Sequence, residues 1–394
     1  MKILFINSLY APNFRGGAER SIQFLAEKLF EWGHSVVVIS HSLDQEDRVS
    51  FLNGVKVYYL KVRNFYTPDS KYKAHRLLQA LWYALDTLNP FMIPVLRRIL
   101  KFEKPDIINT NNLAGISLSA WIVTKQFGLP LIHTLRDHYL LCPGSTMFRG
   151  NANCKDICLR CLPFALPKRI LSNMVDVTLG ISNYILDRHL RSGYFLRTKK
   201  LVVIGNAYRA TSSKDRPDTP IFPLRFGFLG RLHFTKGVEL FLGCAKEFSK
   251  DTALFIVAGT GTIDYESYLT DHYNNDNIKY LGYVPPAQLL SIADVLVAPS
   301  VWNEPFGRMI IEAFAHGVPV IASKRGGLNE LIEEGRTGFL FDPEKDSDLM
   351  IRIQEFVNLP DSIKRMRFAA YEKAIEFQPD IIAKKFLDVV HSLI

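Results

Sequence analysis

The sequence of 394 residues has no long uninterrupted apolar run. A membrane-spanning helix needs about 18–20 consecutive apolar residues, and the longest candidates are broken by Arg, Asp or Pro. The first residues, MKILFINSLYAP, have one Lys and no small-residue cleavage site, so they indicate a buried strand rather than a signal peptide. Because 48% of the residues are hydrophobic, a disordered chain is also excluded. We expect a cytoplasmic protein that is not integral to the membrane.

Cysteine is scarce but clustered. Four of the five cysteines have the spacing C-x11-C-x3-C-x2-C, and these are Cys142, Cys154, Cys158 and Cys161. In a reducing cytosol such a cluster favours a metal or free thiols over disulfides. The C-x2-C step is a normal zinc spacing, whereas C-x3-C is less usual. The pattern favours a structural zinc; free thiols are the alternative and an iron–sulfur cluster a minor one.

Charge is unevenly distributed along the chain. The net charge is +9, but residues 1–215 carry 29 basic and 15 acidic side chains, whereas residues 216–394 carry 19 and 24. A basic face can bind nucleic acid, an anionic membrane or an acidic substrate. The sequence has no RNP-like aromatic motif and no zinc-finger helix, so no nucleic-acid partner is expected.

Short apolar runs alternate with helical patterns throughout the chain. Residues 2–7, 35–40, 55–60, 106–110 and 129–135 resemble strands that are covered on both faces, and residues 18–33 repeat apolar positions at helical spacing. The alternation restarts after a polar segment and predicts an α/β protein with two parallel-sheet domains that face each other across a cleft. The predicted boundaries are 1–208 for an acceptor-binding domain, 209–223 for a linker and 224–378 for a donor-binding domain. The C-terminal helix, about 379–394, is expected to pack back on the first domain.

Three loops that follow strands carry groups suited to an anionic, hydroxyl-rich ligand. In GFLGRLHFTKGVE, Arg231 and Lys236 place two cations beside the start of a helix, an arrangement that suits a diphosphate. In NEPFGRMIIEAF, Glu304 precedes a helix and Glu312 lies about one and a half turns inside it. An ordinary solvated loop and a helix-capping acid are the alternatives for these two segments. In NFRGGAER, two glycines would let backbone N–H groups approach a phosphate, although the segment is not a dinucleotide fingerprint.

These residues carry a family resemblance. The chain resembles a GT-B glycosyltransferase of the large retaining family 4, which transfers sugars from nucleotide donors in glycan, lipopolysaccharide or capsule assembly. The resemblance covers nearly the whole chain. Its most specific part is EPFG through Glu312 with GVPVIAS behind it; the other matching segments are RGGAER, TLRDHYLLCP, GISNYILD, GRLHFTKG and YLGYVPPAQL.

The resemblance implies roles for individual residues. Glu304 and Asp137 are implied to be catalytic, Glu304 holding the donor sugar hydroxyls. Glu312 is implied to bind the ribose. The remaining donor contacts implied by the resemblance are Gly16, Gly17, Arg231, Lys236, Val284, Phe306 and Gly307.

The resemblance also implies a mechanism. The family transfers a UDP- or GDP-activated hexose with retention, and the donor phosphate takes the acceptor proton. The two cations neutralise the diphosphate, so no catalytic metal is expected. The only D-x-D, at residues 346–348, is interpreted as a helix N-cap rather than a metal site.

One departure from the family pattern concerns a His-Asp pair. The chain has Arg136 followed by Asp137 where the family often has His-Asp. Arg136 is no base at ordinary pH, so His138 or His133 is the alternative contact to the sugar. Asn206 is followed by Ala207 where Asn-Gly is common, and this change is interpreted as structural.

A basic segment with interleaved aromatic residues occupies residues 73–104. It places Trp82, Tyr83, Phe91, Leu96 and Leu100 among Arg76, Arg97, Arg98 and Lys101. Such a helix pair suits an anionic lipid surface, and ordinary packing on the sheet is equally compatible. A saccharide or lipid-linked acceptor is therefore expected, with peripheral attachment to the inner face of the membrane. The alternatives left open are a GT-B sugar-nucleotide enzyme that is not a transferase and a basic nucleic-acid-binding protein.

Overall fold

The computed structural model describes residues 1–14, 16–66, 75–209 and 221–393. The chain divides into two compact units, the first formed by Met1–Ala207 with Pro379–Ile394 and the second by Tyr208–Gln378. Of the predicted linker, residues 210–220 lie outside the described residues.

The first unit is built on an eight-stranded sheet. Its strands are β1 (Lys2–Ile6), β2 (Ser35–His41), β3 (Arg48–Leu52), β4 (Val55–Leu60), β5 (Ile107–Thr110), β6 (Leu131–Leu135), β9 (Val177–Gly180) and β10 (Lys200–Val203), and a separate hairpin contains β7 (Phe148–Arg149) and β8 (Ala152–Asn153). The strand order is β10-β9-β6-β5-β1-β2-β4-β3. All pairs are parallel except the edge pair β3–β4. The five strands predicted in this half are all present.

Helices connect the strands of this unit, as a parallel sheet requires. They are α1 (Gly17–Glu31), α2 (Arg76–Thr87), α3 (Ile93–Glu103), α4 (Ser119–Gln126), α5 (Leu162–Ser172) and α6 (Asn183–Arg191). In α1 the predicted stripe of Ile22, Leu25, Ala26 and Leu29 is buried. Glu19 accepts a hydrogen bond from the Gly16 N–H at 3.1 Å, which satisfies one of the free amides at the start of the helix.

The second unit contains a six-stranded, entirely parallel sheet of order β13-β12-β11-β14-β15-β16. The strands are β11 (Leu224–Leu229), β12 (Ala253–Ala258), β13 (Ile278–Gly282), β14 (Val295–Ala298), β15 (Val320–Ser323) and β16 (Gly338–Phe341). The helices are α7 (Val238–Gly243), α8 (Ile263–His272), α9 (Pro286–Ile292), α10 (Arg308–Ala315), α11 (Asp348–Asn358) and α12 (Asp361–Ile375). The α/β class with two parallel-sheet domains is thus confirmed.

The last helix, α13 (Pro379–His391), belongs to the first unit although it follows the second in sequence. Its apolar face lies in the same core as α1 and β1, and the rings of Phe386 and Phe5 are 5.6 Å apart. Lys28 of α1 also pairs with Asp380 at 3.2 Å. Within the described residues, no helix combines the length and the apolar character needed to cross a bilayer.

Candidate functional site

Two loops of the second unit meet at the carboxyl edge of its sheet. Since β11 and β14 are parallel neighbours, the loops that follow them start side by side. The Val301 N–H donates to the Thr235 carbonyl at 3.0 Å, which joins the loops directly. Gly237 makes this approach possible: its φ is +69°, and a Cβ there would lie 1.8 Å from the Pro299 carbonyl oxygen. The predicted cations and the first predicted carboxylate therefore lie on adjoining loops.

The Glu304 cluster consists of Lys236, Ser300, Trp302 and Glu304. The Lys236 Nζ is 2.8 Å from Glu304 Oε1, and the Ser300 hydroxyl donates to the same oxygen. The Lys236 ammonium also lies 5.2 Å from the centre of the Trp302 ring. Glu304 is 5% exposed, whereas 22% of the Lys236 side chain is exposed. The carboxylate is thus held by two partners, and the Lys236 side chain as a whole remains partly exposed.

Arg231, the other predicted cation, lies in the loop that starts at Gly230. Its side chain is exposed, and among the described residues no carboxylate lies within ion-pair distance of it. The predicted pair therefore contains one cation already bound to a carboxylate and one that is open to solvent.

Glu312 occupies the position expected for it inside a helix. α10 starts at Arg308, so Glu304 lies in the preceding loop and Glu312 within the helix. Glu312 Oε1 is 2.9 Å from the Arg308 Nε, one helical turn earlier. The guanidinium of Arg308 in turn lies 5.8 Å from the centre of the Tyr208 ring. This arrangement orients a second, mostly buried carboxylate at the same helix N-terminus.

The remaining predicted donor contacts of the second unit lie in turns. Gly307 precedes α10 with a φ of +111°, and a Cβ there would come within 2.4 Å of Leu328. The Phe306 ring is buried against Phe377, with ring centres 5.8 Å apart, so only its backbone could face a ligand. Val284 lies in the turn between β13 and α9 and is partly exposed.

In the first unit, the glycine pair begins α1. Gly16 precedes the helix and Gly17 is its first residue. The Gly16 N–H is already bonded to Glu19, so a phosphate would have to share or replace that contact. Arg15, the first residue of the RGGAER segment, lies outside the described residues.

Arg136 joins three segments of the first unit. Its Nε donates to Asn111 Oδ1 at 2.7 Å, and its Nη1 donates to Asn206 Oδ1 and, at 3.4 Å, to the Ser21 hydroxyl. Burial lowers the pKa of Arg136 to about 10, which leaves it cationic at neutral pH. The Ala207 N–H also donates to Ser21 at 2.8 Å, in keeping with a structural role for the Asn206–Ala207 turn.

The Lys168 cluster consists of Asp86, Asp137, Tyr139 and Lys168, and sequence patterns did not reveal it. The Lys168 Nζ donates to the Tyr139 carbonyl at 2.9 Å and lies 3.4 Å from the centre of the Tyr139 ring. The Tyr139 hydroxyl donates to Asp86 Oδ2 at 2.7 Å. Burial raises the pKa of Asp86 and of Asp137 to about 6 each, and burial lowers the pKa of Lys168 to about 8.

Both histidines considered as sugar contacts are buried. His138 has no exposed surface, its Nε2 is 3.3 Å from the Tyr184 hydroxyl, and burial lowers its pKa to about 3. His133 lies 2.8 Å from the Thr110 hydroxyl, and burial likewise lowers its pKa to about 3. As placed, neither imidazole presents a surface to a sugar, whereas the partly exposed Asp137 next to them does.

The four clustered cysteines are free thiols of intermediate exposure. Two short sulfur–sulfur contacts join Cys158 to Cys161 at 3.4 Å and Cys161 to Cys142 at 3.8 Å. In that part of the chain for which side chains are placed, no three His, Cys, Asp or Glu residues form a ready-made metal site. Cys244, the residue that follows α7, is buried.

Several functional candidates beyond the sequence predictions come from this geometry. Ser300 and Trp302 lie within the same PSVWNEPFG segment as Glu304, and Arg308 is four residues from Glu312. Their closeness in sequence to the two glutamates could have identified them. Lys168 and Asp86 are 82 positions apart, and no local pattern connects them.

Comparisons with known proteins agree with this architecture. The model of "Glycosyltransferase Family 4" matches residues 15–210, and the model of "Glycosyl transferases group 1" matches residues 213–374. An uncharacterized 42.6 kDa protein in the cps region of Klebsiella pneumoniae is 37% identical over 332 residues, which cover 84% of this chain and 87% of that protein. An uncharacterized glycosyltransferase of Methanocaldococcus jannaschii is 27% identical over 374 residues, which cover 89% of this chain and 87% of that protein.

Solved structures with the same fold cover the entire chain. Sucrose-phosphate synthase from Thermosynechococcus elongatus superimposes with a TM-score of 0.79 at 19% identity, covering 100% of this chain and 98% of that one. HepE from Anabaena in complex with UDP has a TM-score of 0.73 at 21% identity, covering 100% of both chains. The two family models together with these GT-B structures establish that the chain belongs to glycosyltransferase family 4 and is a glycosyltransferase of GT-B fold.

Proposed function

We propose that the protein transfers a sugar, with retention of configuration, from a nucleotide-sugar donor to a saccharide or lipid-linked acceptor in the assembly of a cell-surface polysaccharide. The Glu304 cluster carries the proposal, because it combines a fixed carboxylate with a partly exposed ammonium 2.8 Å away. Solved structures of HepE contain UDP and UDP-glucose, which supports a nucleoside-diphosphate donor. The cps-region location named for the Klebsiella relative supports the polysaccharide assignment.

The donor diphosphate would bind at the two cations of the second unit. Arg231 is exposed, and Lys236 donates one hydrogen bond to Glu304 and has two further N–H groups. Breaking the glycosyl–phosphate bond leaves additional negative charge on the phosphate, and cations placed beforehand stabilise that charge. These two side chains would supply charge stabilisation that a metal ion supplies in other enzymes.

Glu304 and Glu312 would bind hydroxyl groups on either side of the donor diphosphate. A carboxylate is an acceptor only, so each can take hydrogen bonds from two adjacent sugar hydroxyls. Glu304, fixed by Lys236 and Ser300, would hold the transferred sugar, and Glu312, fixed by Arg308, would hold the ribose. A negative carboxylate close to the sugar also stabilises the oxocarbenium-like transition state.

In the proposed front-face route to retention, the acceptor oxygen attacks C1 on the face that the phosphate leaves. The C1–O bond to the phosphate breaks while the C1–O bond to the acceptor forms. The acceptor hydroxyl proton moves to a phosphate oxygen and departs with the nucleoside diphosphate. This route needs no protein base, and Asp137 would orient the acceptor side of the reaction.

A donor screen with a matched variant pair tests this proposal. We expect a UDP- or GDP-sugar, with EDTA present, to raise the melting temperature, because a ligand that binds only the folded state stabilises it. Lys236→Met should abolish the shift, whereas Lys246→Met, at an exposed position of the same unit, should retain it. A product with inverted anomeric configuration by NMR, or a shift that persists in Lys236→Met, would contradict the proposal.

Attachment to an anionic membrane is the second part of the proposed function. On α3 and the turn before it, Phe91 is 61% and Phe102 73% exposed, and Arg97, Arg98 and Lys101 are exposed beside them. The three basic residues line an open apolar groove of about 590 Å³ together with Pro90, Ile93, Pro94 and Phe127. Exposed aromatic side chains next to basic ones suit the interface of an anionic bilayer.

The predicted aromatic pattern of the segment 73–104 needs a correction. Trp82, Leu96 and Leu100 are at most 4% exposed and belong to the core, so they are unavailable to lipid. Helical periodicity explains the difference on α3, since Leu96 and Leu100 lie on its buried face while Arg97, Arg98 and Lys101 lie on its exposed face. Residues 73 and 74 of the segment lie outside the described residues.

Vesicle binding tests the membrane surface independently of catalysis. We expect the protein to sediment with phosphatidylglycerol-containing vesicles and to dissociate from them as the salt concentration rises. It should not bind neutral vesicles. Arg98→Glu with Lys101→Glu should weaken binding, whereas Lys246→Glu with Lys279→Glu changes the net charge equally on the second unit and should not. Equal loss in both double variants would indicate net charge rather than this surface.

A further inference from the structure

The cysteine cluster lies outside the proposed donor site and comes from three separate segments. Cys142 follows β6, Cys154 follows the hairpin β7–β8, and Cys158 and Cys161 immediately precede α5. The fold brings the sulfur of Cys161 within 3.4 Å of Cys158 and 3.8 Å of Cys142. The Cys154 N–H donates to the Met147 carbonyl at 2.7 Å, at the end of the hairpin. Three of the thiols are therefore linked by contacts through Cys161, and Cys154 lies in the loop between Cys142 and Cys158.

The sulfur–sulfur distances suit a metal better than a disulfide. A disulfide bond is about 2.05 Å long, far below the 3.4 and 3.8 Å observed. With zinc–sulfur bonds of about 2.3 Å, a tetrahedral site has sulfur–sulfur edges of about 3.8 Å. The Cys142–Cys161 contact has that length, and the Cys158–Cys161 contact would lengthen slightly on insertion of an ion.

The backbone around Cys158 forms a turn at the start of α5. The N–H of Cys161 donates to the Cys158 carbonyl at 2.9 Å, and the N–H of Leu162 donates to the same carbonyl at 3.0 Å. These bonds fix the spacing of Cys158 and Cys161, whose sulfurs are 3.4 Å apart. This turn is the C-x2-C step that the sequence pattern associates with zinc.

We propose that Cys142, Cys154, Cys158 and Cys161 bind one structural zinc ion as thiolates. Binding releases four thiol protons, forms four zinc–sulfur bonds and needs no oxidant or reductant. As the thiols are placed, no three His, Cys, Asp or Glu side chains among the described residues form a group that could hold a metal ion, so metal binding must move the thiols. The sulfur of Cys161 already contacts those of Cys158 and Cys142, and Cys154 would be supplied by the loop between Cys142 and Cys158.

The proposed ion would fasten a loop to a helix. It would tie residues 142–161 to the N-terminus of α5, where Cys161 is the residue before the first helical one. α5 carries Lys168, which bonds to the Tyr139 carbonyl at 2.9 Å. The zinc site would therefore hold the loop that connects Asp137 and Tyr139 to Lys168 within the Lys168 cluster.

Metal analysis of the full-length protein tests this inference. Protein purified anaerobically without chelator should contain about one zinc per chain by mass spectrometry, as expected for a closed four-cysteine site. Cys158→Ser with Cys161→Ser should lose that zinc, whereas Cys244→Ser removes the remaining cysteine and should keep it. The measurement does not depend on activity, so a failed donor screen would leave its outcome unaffected.

A second measurement covers the case in which the double variant does not fold. Wild-type protein treated with a chelator should take up Co²⁺ and develop the intense visible bands of tetrahedral cobalt thiolate, which one equivalent of Zn²⁺ removes. Folded wild-type protein that contains no metal and takes up neither ion would overturn the proposal. Stoichiometric iron with visible absorption before any treatment would indicate an iron–sulfur cluster instead of zinc and would also overturn the proposal.

Discussion

Each unit of the molecule sets a lysine against acidic side chains, and the two lysines differ in their access to solvent. In the second unit, 22% of the Lys236 side chain is exposed while its Nζ binds Glu304. In the first unit, Lys168 is 2% exposed; its Nζ donates to the Tyr139 carbonyl and lies over the Tyr139 ring. An ammonium that keeps contact with solvent can bind a ligand, whereas an enclosed one can only act on its neighbours. The difference separates a proposed binding group from a proposed positioning group.

The same difference applies to the carboxylates. Glu304 is held by a lysine and a serine from adjoining loops, and its position follows from the parallel pairing of β11 and β14. Asp86 is held by the Tyr139 hydroxyl and the Gly115 N–H, both from distant segments of the first unit. Loss of a partner should therefore affect activity in the first case and stability in the second.

The largest effect is expected for Lys168→Met. The change removes the hydrogen bond from Lys168 to the Tyr139 carbonyl and the buried cation that acts on Asp86 and Asp137, and loss of a charged hydrogen bond costs about 1.5–3 kcal/mol. Lys236→Met should cost less, about 1–2 kcal/mol, because Glu304 keeps its Ser300 hydrogen bond. Urea unfolding followed by tryptophan fluorescence measures the difference, since three of the four tryptophans lie in the first unit.

Two further results decide this comparison. Asp86→Asn added to Lys168→Met should restore part of the lost stability, because it removes the unpaired acid. If both lysine variants unfold at the same urea concentration, the distinction between an enclosed and an accessible lysine is wrong.

The next effect is expected in catalysis for Glu304→Gln. The amide keeps the size of the side chain but loses the charge that we propose faces the transferred sugar, so kcat/KM should fall by about 10²–10³-fold. Glu247→Gln, an exposed glutamate of the same unit, should have unchanged kcat/KM. Steady-state transfer kinetics measure both, with circular dichroism to verify the fold. An unchanged kcat/KM in Glu304→Gln would remove this residue from the reaction.

A third effect concerns pH. Because burial raises the pKa of Asp86 from 3.8 to about 6, the folded state holds this proton more tightly than the unfolded state. Between pH 4 and pH 6 the contribution of Asp86 to stability therefore falls as pH rises, by up to about 1.4 kcal/mol per pH unit. Burial lowers the pKa of Lys168 from 10.5 to about 8, so the unfolded state binds more protons between these two pH values. The free energy of unfolding should therefore increase as pH rises above 8.

The comparison of wild type with Asp86→Asn isolates the acidic part of this dependence. The variant lacks the titrating group. The free energy of unfolding of the wild type minus that of the variant should therefore increase as pH falls from 6 to 4. Urea unfolding at pH 4, 5 and 6 provides the values. A difference that stays constant, or that changes in the opposite direction, would show that the Asp86 carboxyl is not protonated in the fold at these pH values.

Much of the fold followed from local patterns. Continuous apolar runs predicted the strands, and the stripe that includes Ile22 and Leu29 predicted α1, because burial on a sheet requires a fixed period. The positions of Glu304 and Glu312 relative to α10 also followed from Pro305 and Gly307, which mark a helix start. These features depend on neighbours in sequence.

Other features depended on contacts that no local pattern records. Arg136 occupies a position where the family often has His. In the fold it forms hydrogen bonds with Ser21, Asn111 and Asn206, which lie at sequence separations of 115, 25 and 70. In residues 73–104, composition alone does not show which aromatic side chains are exposed. Trp82 is buried and Phe91 is exposed, and the difference depends on how the helices pack. Lys168 looked like an ordinary surface lysine until Tyr139 and Asp86 were placed around it.

The smallest effect is expected for Glu312→Gln. Its partner Arg308 comes from the same helix, 2.9 Å away, so the helix keeps its position when the charge is lost. Loss of one or two of the proposed hydrogen bonds to ribose, at about 1 kcal/mol each, should weaken nucleoside-diphosphate binding by about 5–30-fold, with kcat nearly unchanged. Calorimetry with the nucleotide identified in the donor screen gives the affinity, and the same nucleotide without ribose hydroxyls is the control, since wild type and variant should bind it equally. A fall in kcat with unchanged nucleotide affinity would instead place Glu312 with Glu304, at the transferred sugar.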